Sequence, residues 1–154
     1  DIKPGEIIKE SGEIIGEHEG LMYYTYGQRQ GLGVGGGFGR KEAPWYVSDK
    51  IIDENKLVVV QGQDHRSLYH KHVKASKVNW ISGSPPDSNA DITAKIRYRS
   101  LDSSCQINYD SQNVFIEFET PKFAVAPGQS IVFYDHDICI GGGFIESRAN
   151  KNIA

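Results

Sequence analysis

The second half of the chain consists of short segments in which apolar and polar residues alternate, separated by turns. This pattern restricts the possible folds more than any other feature. Six such segments lie at residues 92–100, 105–109, 114–119, 130–134, 138–140 and 144–146. Alternation of apolar and polar residues over short stretches predicts β-strands. About six short strands in succession are typical of a small closed or nearly closed β-barrel. The glycines at 141–143 are expected to kink one barrel strand.

The first half also has the pattern of β-structure, but a less regular one. Residues 5–17 hold two similar apolar pieces around Ser11 and Gly12, which predicts a β-hairpin. The glycine content of the stretch that follows is too high for a long helix. Further extended segments are expected at 45–52, 56–61 and 73–81.

A stretch of small residues and prolines separates the two halves. Residues 82–89 read SGSPPDSN, a composition typical of a linker. We therefore expect two domains, at 1–81 and 82–154. The predicted fold class is mainly β, with a small, irregular, β-rich first domain followed by a six-stranded β-barrel.

Composition limits the classes of function that the chain can have. Its hydrophobic fraction of 38% and charged fraction of 24% are those of a soluble, folded protein. No apolar run approaches the roughly 18 residues that span a bilayer, and no signal peptide is visible. The net charge of −3 argues against a general, charge-driven nucleic-acid binder. Any contact with nucleic acid must therefore come from a local basic patch.

The strand predicted at 92–99 carries such a patch. Its alternation puts Thr93, Lys95, Arg97 and Arg99 on one face and the apolar residues on the other. Cations two residues apart on a strand are separated by about 6.6 Å, close to the step between successive phosphates. The alternative interpretation is the solvated outer face of a barrel strand.

A second candidate region is 20–37, which reads GLMYYTYGQRQGLGVGGG. Its tyrosines, with Gln28 and Arg29, offer stacking surfaces and planar donors that suit nucleic acid. The glycines at 31–37 invite a phosphate-loop interpretation, but no strong strand precedes them and no GK[ST] follows. We interpret them as a structural turn, with Gln28 and Arg29 as candidate RNA or interdomain contacts. A self-contained nucleotide-binding enzyme built on this loop is the competing interpretation.

The cysteines and histidines do not form a recognisable catalytic or metal-binding motif. Cys105 and Cys139 have neither a CxxC partner nor an adjacent histidine, so both are expected to be small buried hydrophobic residues in a reducing compartment. The histidine-rich stretch at 65–72 has no cysteine nearby, which favours a polar loop over a zinc site. His18 stands between two glutamates and is expected at the surface.

Several stretches together resemble the central and C-terminal domains of the bacterial tRNA-specific 2-thiouridylases. They read GLMYYTYGQRQGLGVGG at 20–36, PWYV at 44–47, KIRYRS at 95–100, APGQSIVFYD at 126–135 and CIGGGFIE at 139–146. The resemblance covers nearly the whole chain in the family's order. It implies that Arg97, Tyr98 and Gln129 contact tRNA, since they match family positions that do so. The further candidates for tRNA contact are Gln28, Arg29, Lys95 and Arg99.

The resemblance also implies a translation-factor-like barrel and an enzyme as the parent protein. The family transfers sulfur to C2 of the wobble uridine, using ATP with Mg²⁺ to activate the base and a cysteine persulfide to deliver the sulfur. That chemistry needs an N-terminal nucleotide-binding domain with an SGG phosphate loop and two catalytic cysteines. The sequence contains no such loop, and Cys105 and Cys139 fall at barrel positions. We therefore expect an inactive fragment without a cofactor of its own.

The expected setting follows from the same resemblance. Met22 is the only methionine, so Asp1 is not a natural start and we expect a longer parent protein. The expected partners are tRNA and, through the parent's catalytic domain, a sulfur-relay donor protein, but neither a membrane nor DNA. The expected location is the cytoplasm. The alternative function is a stand-alone RNA- or ribosome-associated β-barrel module without catalysis.

Overall fold

The computed structural model describes residues 2–34, 43–97 and 101–150. The chain divides into two compact units, Asp1–Leu68 and Tyr69–Ala154. Both consist of strands joined by turns, which confirms the mainly β fold class. Among the described residues, no helix is long and apolar enough to cross a membrane.

The first unit is built around a four-stranded sheet. Its strands are β1 (Gly5–Lys9), β2 (Ile14–His18), β3 (Trp45–Ile51) and β4 (Lys56–Gln61), in the order β2-β1-β4-β3. β1 and β4 are parallel, whereas β1–β2 and β3–β4 are antiparallel hairpins. Short 3₁₀ turns lie at Leu21–Tyr23, Ile52–Glu54 and Arg66–Leu68. The hairpin and the two strands predicted from the sequence are therefore confirmed.

His18 corrects one expectation, because its side chain is fully buried rather than at the surface. It is the last residue of β2, and the alternation along that strand directs it away from the face of Glu17. Its Nε2 lies 2.8 Å from the carbonyl oxygen of Asn55, so Nε2–H is the donor. The ring also meets Tyr24 edge-on, with 5.9 Å between the ring centroids. The two glutamates beside His18 in the sequence suggested an exposed residue and did not show that its side chain points to the core.

The second unit is a closed six-stranded barrel. Its strands are β5 (Tyr69–Trp80), β6 (Ile92–Lys95), β7 (Ser103–Tyr109), β8 (Asn113–Phe123), β9 (Ser130–Asp135) and β10 (Ile138–Ala149). The order around the barrel is β10-β5-β8-β7-β6-β9, and β9 pairs with β10 to close it. All of these pairings are antiparallel. The predicted six-stranded barrel is confirmed.

The barrel core has the composition that the alternating pattern predicts. Ile92 and Ala94 of β6 are buried, while Thr93 and Lys95, which alternate with them, are partly exposed. Large buried side chains from the other strands fill the interior, among them Phe118 of β8 and Phe133 of β9. The barrel therefore has a hydrophobic core of its own.

The division between the units differs from the boundary expected at 81/82. Tyr69–Trp80 is one long strand that pairs with β8 and β10, so it belongs to the barrel. The proline-containing stretch at 82–89 is the connection from β5 to β6 inside the second unit. The sequence indicated an extended segment at 73–81 but not which strands it pairs with.

The last strand also differs from the expectation in its length. Residues 138–140 and 144–146 form a single strand, β10, that runs through the three glycines. Its pairing shifts register between Gly142 and Phe144 on the β5 side, as expected of a kink at these glycines. A Cβ at Gly143 would lie 2.8 Å from the carbonyl oxygen of Ser76, so only glycine permits this approach. The sixth barrel strand is β5 rather than a second C-terminal segment.

Candidate functional site

Antiparallel pairing brings two predicted contact regions to the same end of the barrel. Lys95, the last residue of β6, pairs with Val132 near the start of β9. Arg97 follows Lys95, and Gln129 directly precedes β9, so both lie at the end where β6 finishes and β9 begins. The connection from β8 to β9, residues 124–129, closes this end of the barrel, which we call the 124–129 end.

Arg97 is held against this connection. Its Nη2 donates to the carbonyl oxygen of Ala124 at 2.9 Å, and its guanidinium carbon lies 5.8 Å from the ring centroid of Phe123. Ala124 adopts a left-handed backbone conformation with φ of 55°, which orients the accepting carbonyl. Arg97 is nevertheless an exposed residue. A guanidinium has five donors, so this fixed orientation leaves it suited to bind an anion.

Arg148 makes the matching contact from β10, and the sequence did not indicate it. Its Nη1 donates to the carbonyl oxygen of Val125 at 2.8 Å. Two arginines, one in the segment after β6 and one on β10, thus donate to adjacent carbonyl groups of one connection. Arg148 lies in the sequence ESRAN, which carries no recognisable motif. Only the register of β10 with β5 places it here.

His70 lies near Arg148 and is held neutral. Burial, followed by the positive charge of Arg148, lowers its pKa from 6.5 to about 4. Its Nδ1 is buried and has no hydrogen-bond partner among the described residues. Across the β5–β8 pair, His70 stands opposite Lys122, which lies at this end of β8. Among the described residues that we place at this end, the positive charge at neutral pH comes from Arg97, Lys122 and Arg148.

Lys95 is half-buried beside the β9 strand. Its Nζ lies 5.4 Å from the ring centroid of Tyr134, a distance suited to a cation–π contact. The carboxyl group of Asp102 is close enough to interact electrostatically with Lys95. The Thr93 hydroxyl donates to Asp102 at 2.6 Å and lowers the pKa of that carboxyl, with a smaller contribution from Lys95. Lys95 is consequently a weaker anion site than Arg97.

Gln129 occupies a turn whose backbone is fixed on both sides. Its N–H donates to Ala126 at 3.1 Å, and its carbonyl oxygen accepts from the N–H of Ile145 at 2.8 Å. Gly128 before it has φ of 89°, which favours glycine. The Gln129 side chain is exposed. This arrangement presents an amide to solvent from a rigid backbone.

The remaining candidates are placed differently. Tyr98 and Arg99 lie outside the described residues, as do residues 35–37 of the glycine-rich stretch. In the first unit, Gln28 uses its side chain within its own loop, accepting from the N–H of Thr25 at 3.0 Å and donating to the carbonyl of Gln30 at 2.8 Å. Arg29 is exposed beside it. Of these two residues, Arg29 is the better placed to contact a ligand.

The two cysteines have different surroundings. Cys105 is half-buried, its burial raises the pKa of the thiol to about 12, and its Sγ lies 3.6 Å from the carbonyl oxygen of Ile92, as expected of a structural residue. Cys139 is exposed, so the expectation that both would be buried is wrong for this residue. It is the second residue of β10, and the first two residues of that strand are both exposed. Both thiols are free.

The histidine-rich stretch 65–72 does not assemble a metal site in the part of the chain that the structure describes. His65 contacts Glu10 of the first unit, with Nε2 3.8 Å from Oε2. His70 and His72 belong to β5 of the barrel. Within the described ranges, no three histidine, cysteine or acidic residues lie close enough together to hold an ion.

Known proteins resemble both units. A model of the tRNA methyl transferase PRC-barrel domain matches residues 1–61, and a model of the aminomethyltransferase β-barrel domain matches residues 70–145. A tRNA-specific 2-thiouridylase, MnmA, of Hahella chejuensis is 50% identical over 145 residues, which are 94% of this chain and 40% of that protein. The protein of the same name from Thiobacillus denitrificans is 49% identical over 92% of this chain and 40% of its own length. The chain thus spans about two fifths of the curated relatives that it matches.

Proposed function

The chain belongs to the family of tRNA-specific 2-thiouridylases, and we propose that it is the portion of such an enzyme that binds and positions tRNA. The observation that carries this proposal is the 124–129 end of the barrel. There the fold gathers Arg97, Lys122, Arg148 and Gln129 from four parts of the second unit. The chain as a whole is acidic, with a net charge of −3. A local basic surface on an acidic protein supports binding of one polyanion at one place.

The chemistry of the contacts supports a role in holding the RNA backbone. Arginine donors that are already oriented by backbone carbonyls can bind phosphate oxygens with little further ordering. Gln129 adds a neutral amide, which can bind a phosphate or a base edge. Such contacts fix the position of the RNA without reading its sequence. In our proposal they hold the anticodon arm so that the wobble uridine, turned out of its stack, reaches a separate active site.

Sulfur transfer itself is assigned to a part of the parent enzyme that this chain does not contain. We propose that the parent uses ATP with Mg²⁺ to activate C2 of the wobble uridine and receives sulfur from a donor protein in the cytoplasm. Cys105, with its pKa raised to about 12, is unsuited to act as a nucleophile or persulfide carrier. The chain also lacks an SGG phosphate loop. The chain alone is therefore expected to bind tRNA without modifying it or binding ATP.

Fluorescence anisotropy with labelled tRNA tests this function directly. The chain should bind tRNA at low ionic strength, with affinity that falls steeply as salt rises. A variant with Arg97→Met and Lys122→Met should bind at least tenfold more weakly, because each lost phosphate contact removes counterion release. Lys77→Met is the matched control, since Lys77 is exposed on β5 towards the opposite end of the barrel.

Two outcomes would count against the proposed function. Equal loss of affinity in the control and the double variant would indicate general electrostatic attraction rather than a site. The absence of measurable tRNA binding at low salt would remove the proposal itself. Detection of ATP binding by this chain would instead favour an enzyme built on the glycine-rich stretch.

A further inference from the structure

A cavity opens beside Arg97 at the 124–129 end of the barrel, and the proposed backbone contacts do not account for it. Its volume is about 410 Å³, within the range of about 300–1,000 Å³ that small-ligand pockets occupy. Strands β5, β6, β7 and β8 and the segment after β6 contribute its described lining. All of these elements belong to the second unit.

Aromatic side chains form one side of the cavity. Tyr69 and Phe123 are directly opposite each other in the β5–β8 pair, with ring centroids 5.5 Å apart and planes tilted by 57°. Both rings are only half-buried. Phe118, which has no surface exposed to solvent, also lines the cavity. Two adjacent and accessible rings on a fixed backbone offer a surface on which a planar group can stack.

Positively charged side chains border the same cavity beside the aromatic rings. Arg97 and Lys122 both border the cavity, and the described lining includes no aspartate or glutamate. Lys122 Nζ lies 5.9 Å from the ring centroid of Phe118, so the ammonium group is held above the aromatic floor. Leu101, with 88% of its surface exposed, stands at the rim. Such a lining is complementary to a ligand that is planar at one end and anionic at the other.

We propose that this cavity receives one unpaired nucleotide of the bound RNA. The base stacks on one of the two tilted rings, Tyr69 or Phe123, and meets the other at an angle, while the adjoining phosphate binds Arg97 and Lys122. The inference rests on the proposed tRNA-binding function and adds to it, since contacts to the backbone alone would not require a base to leave its helix. A paired base cannot enter, because its faces are covered by its neighbours in the stack. The site therefore selects for an unpaired nucleotide next to the contacted backbone.

Affinities for single-stranded and paired RNA of the same sequence test this inference. The probes are a labelled uridine hexanucleotide and an RNA duplex that contains the same uridines. The chain should prefer the single strand at equal salt, and Phe123→Leu should weaken that complex roughly 5- to 150-fold, the range measured for loss of one stacked base. Binding of the duplex should change by less than about twofold. Tyr69→Leu should repeat this selective loss, whereas Tyr109→Leu, an exposed ring towards the other end of β7, should not.

A measurement on the unaltered chain removes the dependence on how the variants fold. RNA that contains 4-thiouridine should form a photo-crosslink at Tyr69 or Phe123 when irradiated in the complex. Crosslinks found only elsewhere, or equal losses for single strand and duplex in the folded variants, would overturn the proposed nucleotide site. If tRNA binding still depended on Arg97 in that case, the proposed function would stand without the cavity. Failure of every RNA to bind would instead remove both.

Discussion

Arg97 has two roles that a suitable pair of substitutions can separate. Its charge faces the proposed phosphate, while Nη2 donates to the carbonyl of Ala124. Arg97→Met should lower tRNA affinity and reduce the slope of log affinity against log salt by about 1, the value for one lost phosphate contact. Arg97→Lys should keep the slope, because the charge remains, but bind more weakly, because the planar donor set is lost.

The measurement for Arg97 is a salt titration of tRNA binding by the chain and its two variants. Loss of the bond to Ala124 should also lower the free energy of unfolding by about 1 kcal/mol in Arg97→Met, so folding is checked by urea denaturation first. A salt slope that does not change in folded Arg97→Met would show that Arg97 makes no phosphate contact.

His70 should make the stability of the barrel depend on pH. Its folded-state pKa of about 4 lies below the ordinary value of 6.5, so between these values the unfolded chain binds a proton that the folded barrel does not. Stability from this source is complete above pH 6.5 and is lost as pH falls towards 4. Because the ring is only partly enclosed, we expect a loss of about 1 kcal/mol rather than the full value of the shift.

Urea denaturation at several pH values, with His70→Gln as the variant, tests this dependence. The variant should lose less stability than the parent chain as pH falls through the window. His136 supplies a control of opposite sign, since its hydrogen bond to Asp135, and then the charge of that carboxylate, raise its pKa. An identical pH profile for His70→Gln and the parent would contradict the role of His70.

Individual residues show what strand parity in the sequence could and could not predict. Parity correctly separated the buried Ile92 and Ala94 from Lys95 on β6. It could not predict that Arg148 lies at this site. The pairing of strands decides which residues meet, and local alternation of apolar and polar residues does not encode that pairing. For the same reason the sequence could not show that Gln28 hydrogen-bonds within its own loop.

At the scale of single elements, β10 depends on glycines that let two neighbouring strands approach. A Cβ at Gly143 would lie 2.7 Å from Val78 Cγ2 and 2.8 Å from the carbonyl oxygen of Ser76. Gly143→Ala should therefore destabilise the barrel by roughly 1–3 kcal/mol, the usual cost of forcing an extra group into a packed site. At Gly142 the nearest atom to a Cβ is the carbonyl oxygen of Ile131 at 3.1 Å, so Gly142→Ala should cost less.

Thermal and urea denaturation of the two alanine variants measure this difference. The comparison is matched, since both glycines are adjacent in one strand and both substitutions remove the same backbone freedom. Equal destabilisation by the two would show that the loss of glycine flexibility, not the close approach of β5, sets the cost.

The elements also show why the number of barrel strands was predictable but their identity was not. Six strands were expected from the second half alone, and six are present. Two of the expected segments join through the glycines into β10, and β5 from before the proline-containing stretch completes the barrel. Proline and serine mark a turn reliably, but a turn within a domain and a linker between domains have the same composition.

At the scale of the whole molecule, the division between the units can be tested by cutting the chain. Residues 69–154 contain all six barrel strands and their core, so this fragment should fold alone, with cooperative unfolding and a β-rich circular dichroism spectrum. A fragment of residues 82–154 should not, because removal of β5 leaves unpaired edges on β8 and β10 and takes Val73 and Ala75 out of the core. Cooperative folding of the shorter fragment would restore the boundary expected at 81/82.

The same two fragments also locate the proposed tRNA contacts, since only the longer fragment keeps Tyr69 and the strand that stands opposite Lys122. If the 69–154 fragment folds and retains salt-dependent binding of tRNA, the barrel itself carries the interaction.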